Sequence, residues 1–196
     1  MSRLLHVASL IAFLLMAGSA QADNEATRAW DALRGDGAIA LIRHAAAPGA
    51  PGDPAGIKLD DCKTQRNLSA KGRAQAIALG DVFRAQRVKV GKVASSQWCR
   101  SRQTAELMNI GPVEAAPAFN NAFVLRDDRD ELTAGARATI AAWRGPGTLV
   151  VATHGQNILN LLGFHPGEGE VVVVAPDPAG AKAVRLIGRI APPSAP

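Results

Sequence analysis

Residues 38–44, Ala-Ile-Ala-Leu-Ile-Arg-His, set five apolar residues in a row directly before an arginine and a histidine. A continuous apolar run of this length is typical of a buried strand in a parallel sheet. The same arrangement returns at residues 148–155, where Thr-Leu-Val-Val-Ala is followed by Thr-His-Gly. Each run predicts a strand that ends in polar side chains, and we expect both strands in one sheet.

The rest of the chain alternates between helical and extended patterns. Helices are predicted over residues 25–33, 70–86 (with Ser69 as N-cap), 99–108, 132–143 and 156–162. Strands are predicted over residues 38–42, 88–94, 113–115, 148–152, 171–175 and 183–189, the last two antiparallel to each other. This alternation predicts an α/β fold, a three-layer α/β/α architecture with a mostly parallel central sheet.

The composition excludes some classes of protein. Of the 196 residues, 47% are hydrophobic and 20% are charged, which excludes a disordered chain. With 4% aromatic residues and no tyrosine, a stacking platform for single-stranded nucleic acid is not expected, so nucleic acid is not a predicted partner. The net charge of +5 favours an anionic ligand.

The N-terminus has the pattern of an export signal. Arg3 precedes an uncharged stretch over residues 7–17, and residues 20–22, Ala-Gln-Ala, have the small-x-small form that signal peptidase cleaves. The uncharged stretch is shorter than the roughly 20 residues of a membrane-spanning helix, which disfavours the alternative of an uncleaved anchor. We therefore expect a signal peptide over residues 1–22, one catalytic domain over residues 23–196, and a periplasmic or secreted location.

Export changes the interpretation of the two cysteines. In an oxidising compartment Cys62 and Cys99 can form a disulfide, and neither lies in a Cys-x-x-Cys or a Cys-His motif. Closing that loop would stabilise the fold by roughly 3–4 kcal/mol. The alternatives are a nucleophilic thiol and two free buried thiols, and the disulfide is the favoured prediction.

Basic side chains follow three of the predicted strands. Arg43 and His44 follow the first strand, Arg100 comes shortly after the second, and His154 follows the strand over residues 148–152. Ligands of an open α/β sheet bind outside the carboxyl ends of its strands, so these side chains are expected at one edge. Two arginines and two histidines together suit a phosphate group. Taken singly, Arg43 beside His44 could instead be a strand-end pair with ordinary salt bridges. Arg100 could lie on a solvated helix face, and His154 could be a core histidine.

Four stretches of the chain carry a family resemblance. Residues 41–45, Leu-Ile-Arg-His-Ala, are similar to a strand followed by Arg-His-Gly. Residues 68–76, Leu-Ser-Ala-Lys-Gly-Arg-Ala-Gln-Ala, are similar to Leu-Thr-x-x-Gly-x-x-Gln-Ala. Residues 95–105 match Ser-x-x-x-x-Arg-x-x-Gln-Thr-Ala, and residues 150–155 form a strand ending in His-Gly. In this order, over residues 38–175, they resemble the histidine phosphatase superfamily, which has the phosphoglycerate mutase-like fold, and its small exported bacterial members above all.

The resemblance implies a metal-independent phosphomonoesterase in which His44 attacks phosphorus and forms a phosphohistidine that water hydrolyses. Arg43 and Arg100 would bind the non-bridging oxygens, and His154 would add a hydrogen-bond donor. No metal or cofactor is expected, and no membrane span after signal cleavage. The expected substrate is a small phosphorylated molecule, and a phosphosugar is suggested by analogy alone with periplasmic members.

The chain departs from the family pattern at two places. Ala45 replaces the glycine of Arg-His-Gly, which would cost about 1 kcal/mol if the backbone there had a positive φ. Where many members carry a glutamate as general acid, this sequence has Asn120 and Asn121, and Asn121 is expected to contact substrate. The candidate acids nearby, among which the sequence leaves the choice open, are Asp127, Asp128, Glu131 and Glu170.

A long loop over residues 45–67 follows His44, and loops of this length usually have a binding role. The disulfide would tie this loop beside Arg100. Its charged residues would then contact the rest of the substrate, and they are Lys58, Asp60, Asp61, Lys63 and Arg66. His165 lies in no motif and is interpreted as structural. The alternative function is a non-catalytic phosphate- or phosphosugar-binding module of the same fold, whereas export disfavours a phosphoglycerate mutase.

Overall fold

Residues 24–177 and 184–193 are described in the computed structural model of the protein. The strands are β1 (Ile39–Arg43), β2 (Val90–Ser95), β3 (Val113–Ala115), β4 (Thr148–Thr153), β5 (Val171–Pro176) and β6 (Val184–Ile190). The helices are α1 (residues 24–34), α2 (Ala70–Ala85), α3 (Cys99–Met108), α4 (Arg129–Ala142) and α5 (Gly155–Leu162). The predicted signal peptide, residues 1–22, lies outside the described residues, as does residue 183 of the last predicted strand.

The strands form one six-stranded sheet in the order β3-β2-β4-β1-β5-β6. The strands β3, β2, β4 and β1 are parallel to one another, whereas β5 is antiparallel to both β1 and β6. The prediction of a mostly parallel sheet is therefore confirmed, and so is the antiparallel pair at its end.

Helices cover both faces of the sheet because successive side chains of a strand point to opposite sides. Ala40 and Ile42 of β1 lie in a buried cluster with side chains of α1, α2 and α3. Ile39 and Leu41 lie in a second buried cluster, with side chains of α4 and α5. This three-layer packing explains why β1 is apolar at consecutive positions, and it confirms the predicted architecture.

The boundaries differ from the predicted ones mainly at α4. The helix begins at Arg129 rather than at residue 132, with Asp130 and Glu131 in its first turn. Carboxylates are favourable there because the N-terminus of a helix carries partial positive charge. The prediction followed the apolar periodicity, which starts only at Leu132. None of the described helices has the length and apolar character that crossing a membrane requires.

The register of the parallel strands places the predicted site. Arg43 of β1 is paired with Thr153 of β4, and Ser95 of β2 is paired with Ala152. The His44 N–H then donates to the Thr153 carbonyl at 2.9 Å. The segments that follow β1, β2 and β4 therefore leave the sheet at the same edge, as the sequence predicted.

Candidate active site

The four predicted phosphate-site residues lie together at this edge of the sheet. Arg43 ends β1, His44 follows it, Arg100 lies in the first turn of α3, and His154 directly precedes α5. The ring centroids of His44 and His154 are 5.6 Å apart. All four residues line an open cavity of about 280 Å³, together with Arg66, Asn121, Gln156, His165 and others.

The start of α2 fixes the backbone that follows His44. The carbonyl of Ala46 accepts hydrogen bonds from the N–H and the hydroxyl of Ser69, at 3.0 and 3.2 Å. The Ala46 N–H donates to Gln75 Oε1 at 3.0 Å. Gly72 lies so close that a Cβ there would be 2.0 Å from the Ala46 carbonyl oxygen. The glycine and the glutamine of this motif therefore position the loop next to the histidine.

His44 is buried and neutral, with one nitrogen free to act as a base or nucleophile. Its Nδ1 lies 2.9 Å from the Ala45 carbonyl oxygen. A carbonyl can only accept, so Nδ1 carries the proton and Nε2 keeps its lone pair. Burial, followed by the charge of Arg100, lowers the pKa of His44 to about 3, although the hydrogen bond to Ala45 opposes the shift. The unprotonated Nε2 is therefore maintained across the neutral and mildly acidic range.

The lowered pKa of His44 predicts that acid destabilises the fold. Between about pH 3 and pH 6.5 the unfolded chain binds a proton on this imidazole and the folded chain does not. The free energy of unfolding therefore rises with pH through that window, and the contribution of His44 to it is lost as the pH falls. Urea denaturation of wild type and His44→Asn across this window measures the contribution. We expect a weaker pH dependence in the variant, and identical dependences would contradict the assignment.

Ala45 fits the position where the family motif has glycine. In the described part of the chain, the non-glycine residues with positive φ are Arg87 and Asn109, so Ala45 has no left-handed strain. Its N–H donates to Thr104 Oγ1 at 3.0 Å. Its methyl group is buried in a cluster with Leu68 and Ala76. The backbone strain that a positive φ would have caused at Ala45, in place of the motif glycine, is therefore absent.

His154 is buried, and its two ring nitrogens have different partners. Nδ1 lies 3.4 Å from Arg100 Nη2, and Nε2 lies 2.8 Å from Ser96 Oγ. A guanidinium only donates, so Nδ1 accepts and Nε2–H donates to the serine. Burial first, and then the charge of Arg100, lowers the pKa of His154 well below its ordinary value. The neutral ring in this state orients Arg100.

Asp53, which sequence reasoning missed, binds Arg100 through both of its carboxylate oxygens. Nη1 and Nη2 of Arg100 donate to these oxygens at 2.6 and 3.1 Å. The two side chains are only 1% and 2% exposed. The same carboxylate accepts from Trp98 Nε1 at 3.0 Å and from the Arg66 N–H at 2.9 Å. Asp53 therefore fixes the plane of Arg100 and joins the 45–67 loop to α3.

Three guanidinium groups of the cavity keep a buried donor without a partner. Among the described residues, the Nε atoms of Arg43, Arg66 and Arg100 are buried and make no hydrogen bond. Such groups are rare in folded proteins, because an unpaired buried donor costs about 1–3 kcal/mol. Glu168 balances part of the charge, with its Oε1 3.5 Å from an Arg43 nitrogen and 3.7 Å from an Arg66 nitrogen. All three arginines line the cavity, so their positive charge surrounds any anion that binds there.

The predicted disulfide between Cys62 and Cys99 is present, with the two Cα atoms 5.7 Å apart. Cys99 begins α3, and its N–H donates to Gln65 Oε1 at 2.9 Å. The loop is thus bound to the start of α3 by a covalent bond, by this hydrogen bond and by Asp53. The disulfide prediction is confirmed, and the bridge lies directly beside Arg100.

The candidate acids lie away from the cavity lining. Asp127, Asp128 and Glu131 are exposed at or before the start of α4. Glu170 is buried, and its Oε2 accepts from the Gly167 N–H at 2.7 Å while Oε1 pairs with Arg189 Nε at 2.5 Å. Their positions therefore do not support the prediction that one of them protonates the substrate. Asn121, predicted to contact substrate, does line the cavity.

The loop contributes one of its five predicted contact residues to the cavity. Arg66 lines it, whereas Lys58, Asp60, Asp61 and Lys63 do not. Asp61 instead caps the short turn Cys62–Thr64 by accepting from the Lys63 N–H at 3.0 Å. His165, interpreted as structural, also lines the cavity. A histidine before a proline in a loop has no periodicity to reveal its direction, so the sequence carried no usable indication of this.

The fold and the site define a class: an α/β protein with a pocket lined by histidines and arginines at the carboxyl edge of its sheet. The sequence model of the histidine phosphatase superfamily, branch 1, matches residues 39–124, which include Arg43, His44 and Arg100. Over these residues the chain is similar to the histidine phosphatase superfamily. No comparable match was found among curated proteins.

Solved structures with this fold are similar to the chain at low sequence identity. The protein histidine phosphatase SixA complexed with tungstate is 17% identical, with 79% of this chain and 97% of that chain covered and a TM-score of 0.54. Phosphoglycerate mutase from Thermus thermophilus is 19% identical, with 79% and 98% covered and a TM-score of 0.56. A protein from Nakamurella multipartitia, provisionally described as a phosphohistidine phosphatase SixA, is 21% identical, with 81% and 97% covered and a TM-score of 0.53. These likenesses show the phosphoglycerate mutase-like fold.

Proposed function

We propose that the protein is a metal-independent phosphomonoesterase that transfers the phosphoryl group of its substrate to His44 and then to water. The observation that carries this proposal is the pairing of a neutral imidazole with three arginines around one cavity. A neutral imidazole is nucleophilic and becomes a good leaving group once it carries phosphorus. Guanidinium groups match the charge and geometry of phosphoryl oxygens.

The chemistry follows from the positions of these side chains. The lone pair on His44 Nε2 attacks phosphorus, a P–N bond forms, and the P–O bond to the leaving group breaks with its electron pair going to oxygen. Water then attacks phosphorus, and the electron pair of the P–N bond returns to Nε2. Arg43, Arg66 and Arg100 stabilise the charge that develops on the phosphoryl oxygens. No step draws on a metal ion or a cofactor.

His154 supports the reaction through Arg100. In the described state its Nδ1 accepts from Arg100 Nη2 at 3.4 Å. Donation from Nδ1 to a phosphate oxygen requires a proton on that nitrogen, which the other neutral tautomer supplies, with Nε2 then accepting from the Ser96 hydroxyl. The donor role that the resemblance implies for His154 is therefore a property of the liganded enzyme.

The similar proteins support the choice of ligand. One is a protein histidine phosphatase complexed with tungstate, an oxyanion with the tetrahedral shape of phosphate. The proposed substrate here is a small phosphorylated molecule such as a phosphosugar, which an open cavity of about 280 Å³ suits. We also propose that the protein is exported, and the disulfide supports this because such bonds persist in oxidising compartments.

Hydrolysis of p-nitrophenyl phosphate in the presence of EDTA tests the proposal. We expect turnover that EDTA leaves unchanged. Tungstate should inhibit it competitively, because tungstate and the phosphate ester need the same guanidinium donors. Loss of turnover in EDTA would contradict the metal-independent mechanism. Binding of tungstate without any turnover of aryl or alkyl phosphates would instead favour the alternative, a non-catalytic phosphate-binding module.

A further inference from the structure

Residues 165–169, between α5 and β5, lie against the Arg43–His44 pair. Arg43 Nη1 donates to the Pro166 carbonyl at 2.8 Å. The Gly169 N–H is shared between the carbonyl oxygens of Arg43 and His44, at 3.0 and 3.1 Å. The segment is thus bonded to the residues that carry the proposed nucleophile, and its first residue, His165, is fixed beside them.

The imidazole of His165 forms part of the cavity wall because Gly155 leaves room for it. A Cβ on Gly155 would lie 2.9 Å from His165 Nδ1 and 3.4 Å from Arg43 Cδ. Any other residue at this position would push the ring or the arginine away. His165 is also exposed, so water reaches its side chain.

Cleavage of an alkyl phosphate needs a proton for the departing oxygen, because a free alkoxide is a poor leaving group. Among the described residues, no aspartate or glutamate lines the cavity. The titratable groups that do line it are Arg43, His44, Arg66, Arg100, His154 and His165.

Elimination among these groups leaves one proton donor. Arginine does not give up its proton in proteins. His44 is the proposed nucleophile, and the nitrogens of His154 are bound to Arg100 and Ser96. Imidazole is the side chain whose ordinary titration suits proton transfer near neutral pH.

Glu168 is the nearest rival to His165 in this role. Its carboxylate pairs with Arg43 and Arg66 and accepts from the Ala47 N–H at 3.4 Å. It therefore acts as an acceptor for the guanidinium groups, and it lies outside the cavity lining. The charged and titratable groups around His165 come from the end of β1 and the residue after it, the 45–67 loop, α3, the junction of β4 and α5, and its own segment. They are Arg43, His44, Arg66, Arg100, His154 and Glu168.

We propose that His165 is the general acid of the reaction, an inference that rests on the proposed phosphatase function. The imidazolium of His165 gives its proton to the leaving-group oxygen as the P–O bond breaks, which leaves His165 neutral. In the second step the neutral ring takes a proton from the attacking water while the P–N bond to His44 breaks. The enzyme returns to its starting protonation state, and the products are an alcohol and phosphate.

Leaving-group dependence tests this role. For His165→Ala we expect kcat/KM on glycerol phosphate to fall by about 10²–10⁴-fold, since an alkyl leaving group needs the acid. On p-nitrophenyl phosphate kcat/KM stays close to wild type, because nitrophenolate departs without a proton. The pH profile on glycerol phosphate should also lose its alkaline limb in the variant. His165→Gln, which keeps a polar side chain of similar reach, is expected to show the same selectivity.

The controls separate this inference from the proposed function. Asp127→Asn changes a sequence-predicted acid that is exposed and outside the cavity, and both substrates should be turned over at wild-type rates. Equal loss on both substrates in His165→Ala, with wild type active, would show a merely structural role and overturn the inference alone. Unchanged activity on glycerol phosphate would also overturn it. Wild-type inactivity on both substrates would overturn the proposed function itself.

Discussion

His44→Ala is expected to reduce the turnover of phosphate esters by about 10⁴-fold or more, since a nucleophile that forms a covalent intermediate has no substitute. The neighbouring guanidinium groups remain in this variant. Their N–H donors still bind an oxyanion, and a cavity that has lost only an imidazole keeps its shape. We therefore expect the variant to bind tungstate while it hydrolyses nothing measurable above background.

Two measurements together check this expectation: the steady-state rate with p-nitrophenyl phosphate, and tungstate affinity by calorimetry. Circular dichroism and urea denaturation show whether the variant is folded. A folded variant that retained turnover within about tenfold of wild type would contradict the nucleophilic role. A variant that lost both turnover and tungstate binding would show that His44 supports the anion site rather than the covalent step.

Asp53→Ala is expected to lower the free energy of unfolding by about 3–5 kcal/mol, because it leaves the buried Arg100 charge without its partner. The variant also removes the acceptor for Trp98 Nε1 and for the Arg66 N–H. Burial, and to a smaller extent the charge of Arg66, lowers the pKa of Arg100, whereas the hydrogen bond and charge of Asp53 raise it. Turnover should fall as well, since the guanidinium loses the carboxylate that fixes its plane.

Urea denaturation with and without tungstate measures this effect. Tungstate should stabilise Asp53→Ala more than it stabilises wild type, because the anion replaces the missing negative charge beside Arg100. Asp60→Ala is the matched control, since Asp60 is an exposed aspartate of the same loop that does not line the cavity. If Asp53→Ala were as stable as this control, the ion pair would have no role in holding the loop.

The parts of the fold that the sequence predicts are those with local patterns. The apolar run before Arg43 and the one before His154 indicated two buried strands, and parallel pairing then placed both histidines at one edge. Ser69 marked the start of α2 because a serine hydroxyl caps the first turn, and it accepts from the Gly72 N–H at 2.9 Å. Such features are encoded within a few residues.

The parts that the sequence does not predict depend on contacts between distant segments. Asp53 lies in a proline- and glycine-rich loop, and nothing in its local sequence relates it to Arg100, which follows 47 residues later. His165 is brought to the cavity by the hydrogen bonds of Pro166 and Gly169 with the end of β1. Glu170 is a candidate acid from its place before β5, but its pairing with Arg189 is again a tertiary contact.

The stereochemical course at phosphorus tests the central claim, the covalent transfer to His44, most directly. The substrate for this measurement carries a phosphoryl group made chiral with three oxygen isotopes, and the configuration is determined in the phosphate ester formed when an acceptor alcohol takes the place of water. Two in-line displacements, first by His44 Nε2 and then by the acceptor alcohol, each invert phosphorus, so net retention is expected. Net inversion would show a single direct attack on the substrate and would contradict the phosphohistidine mechanism.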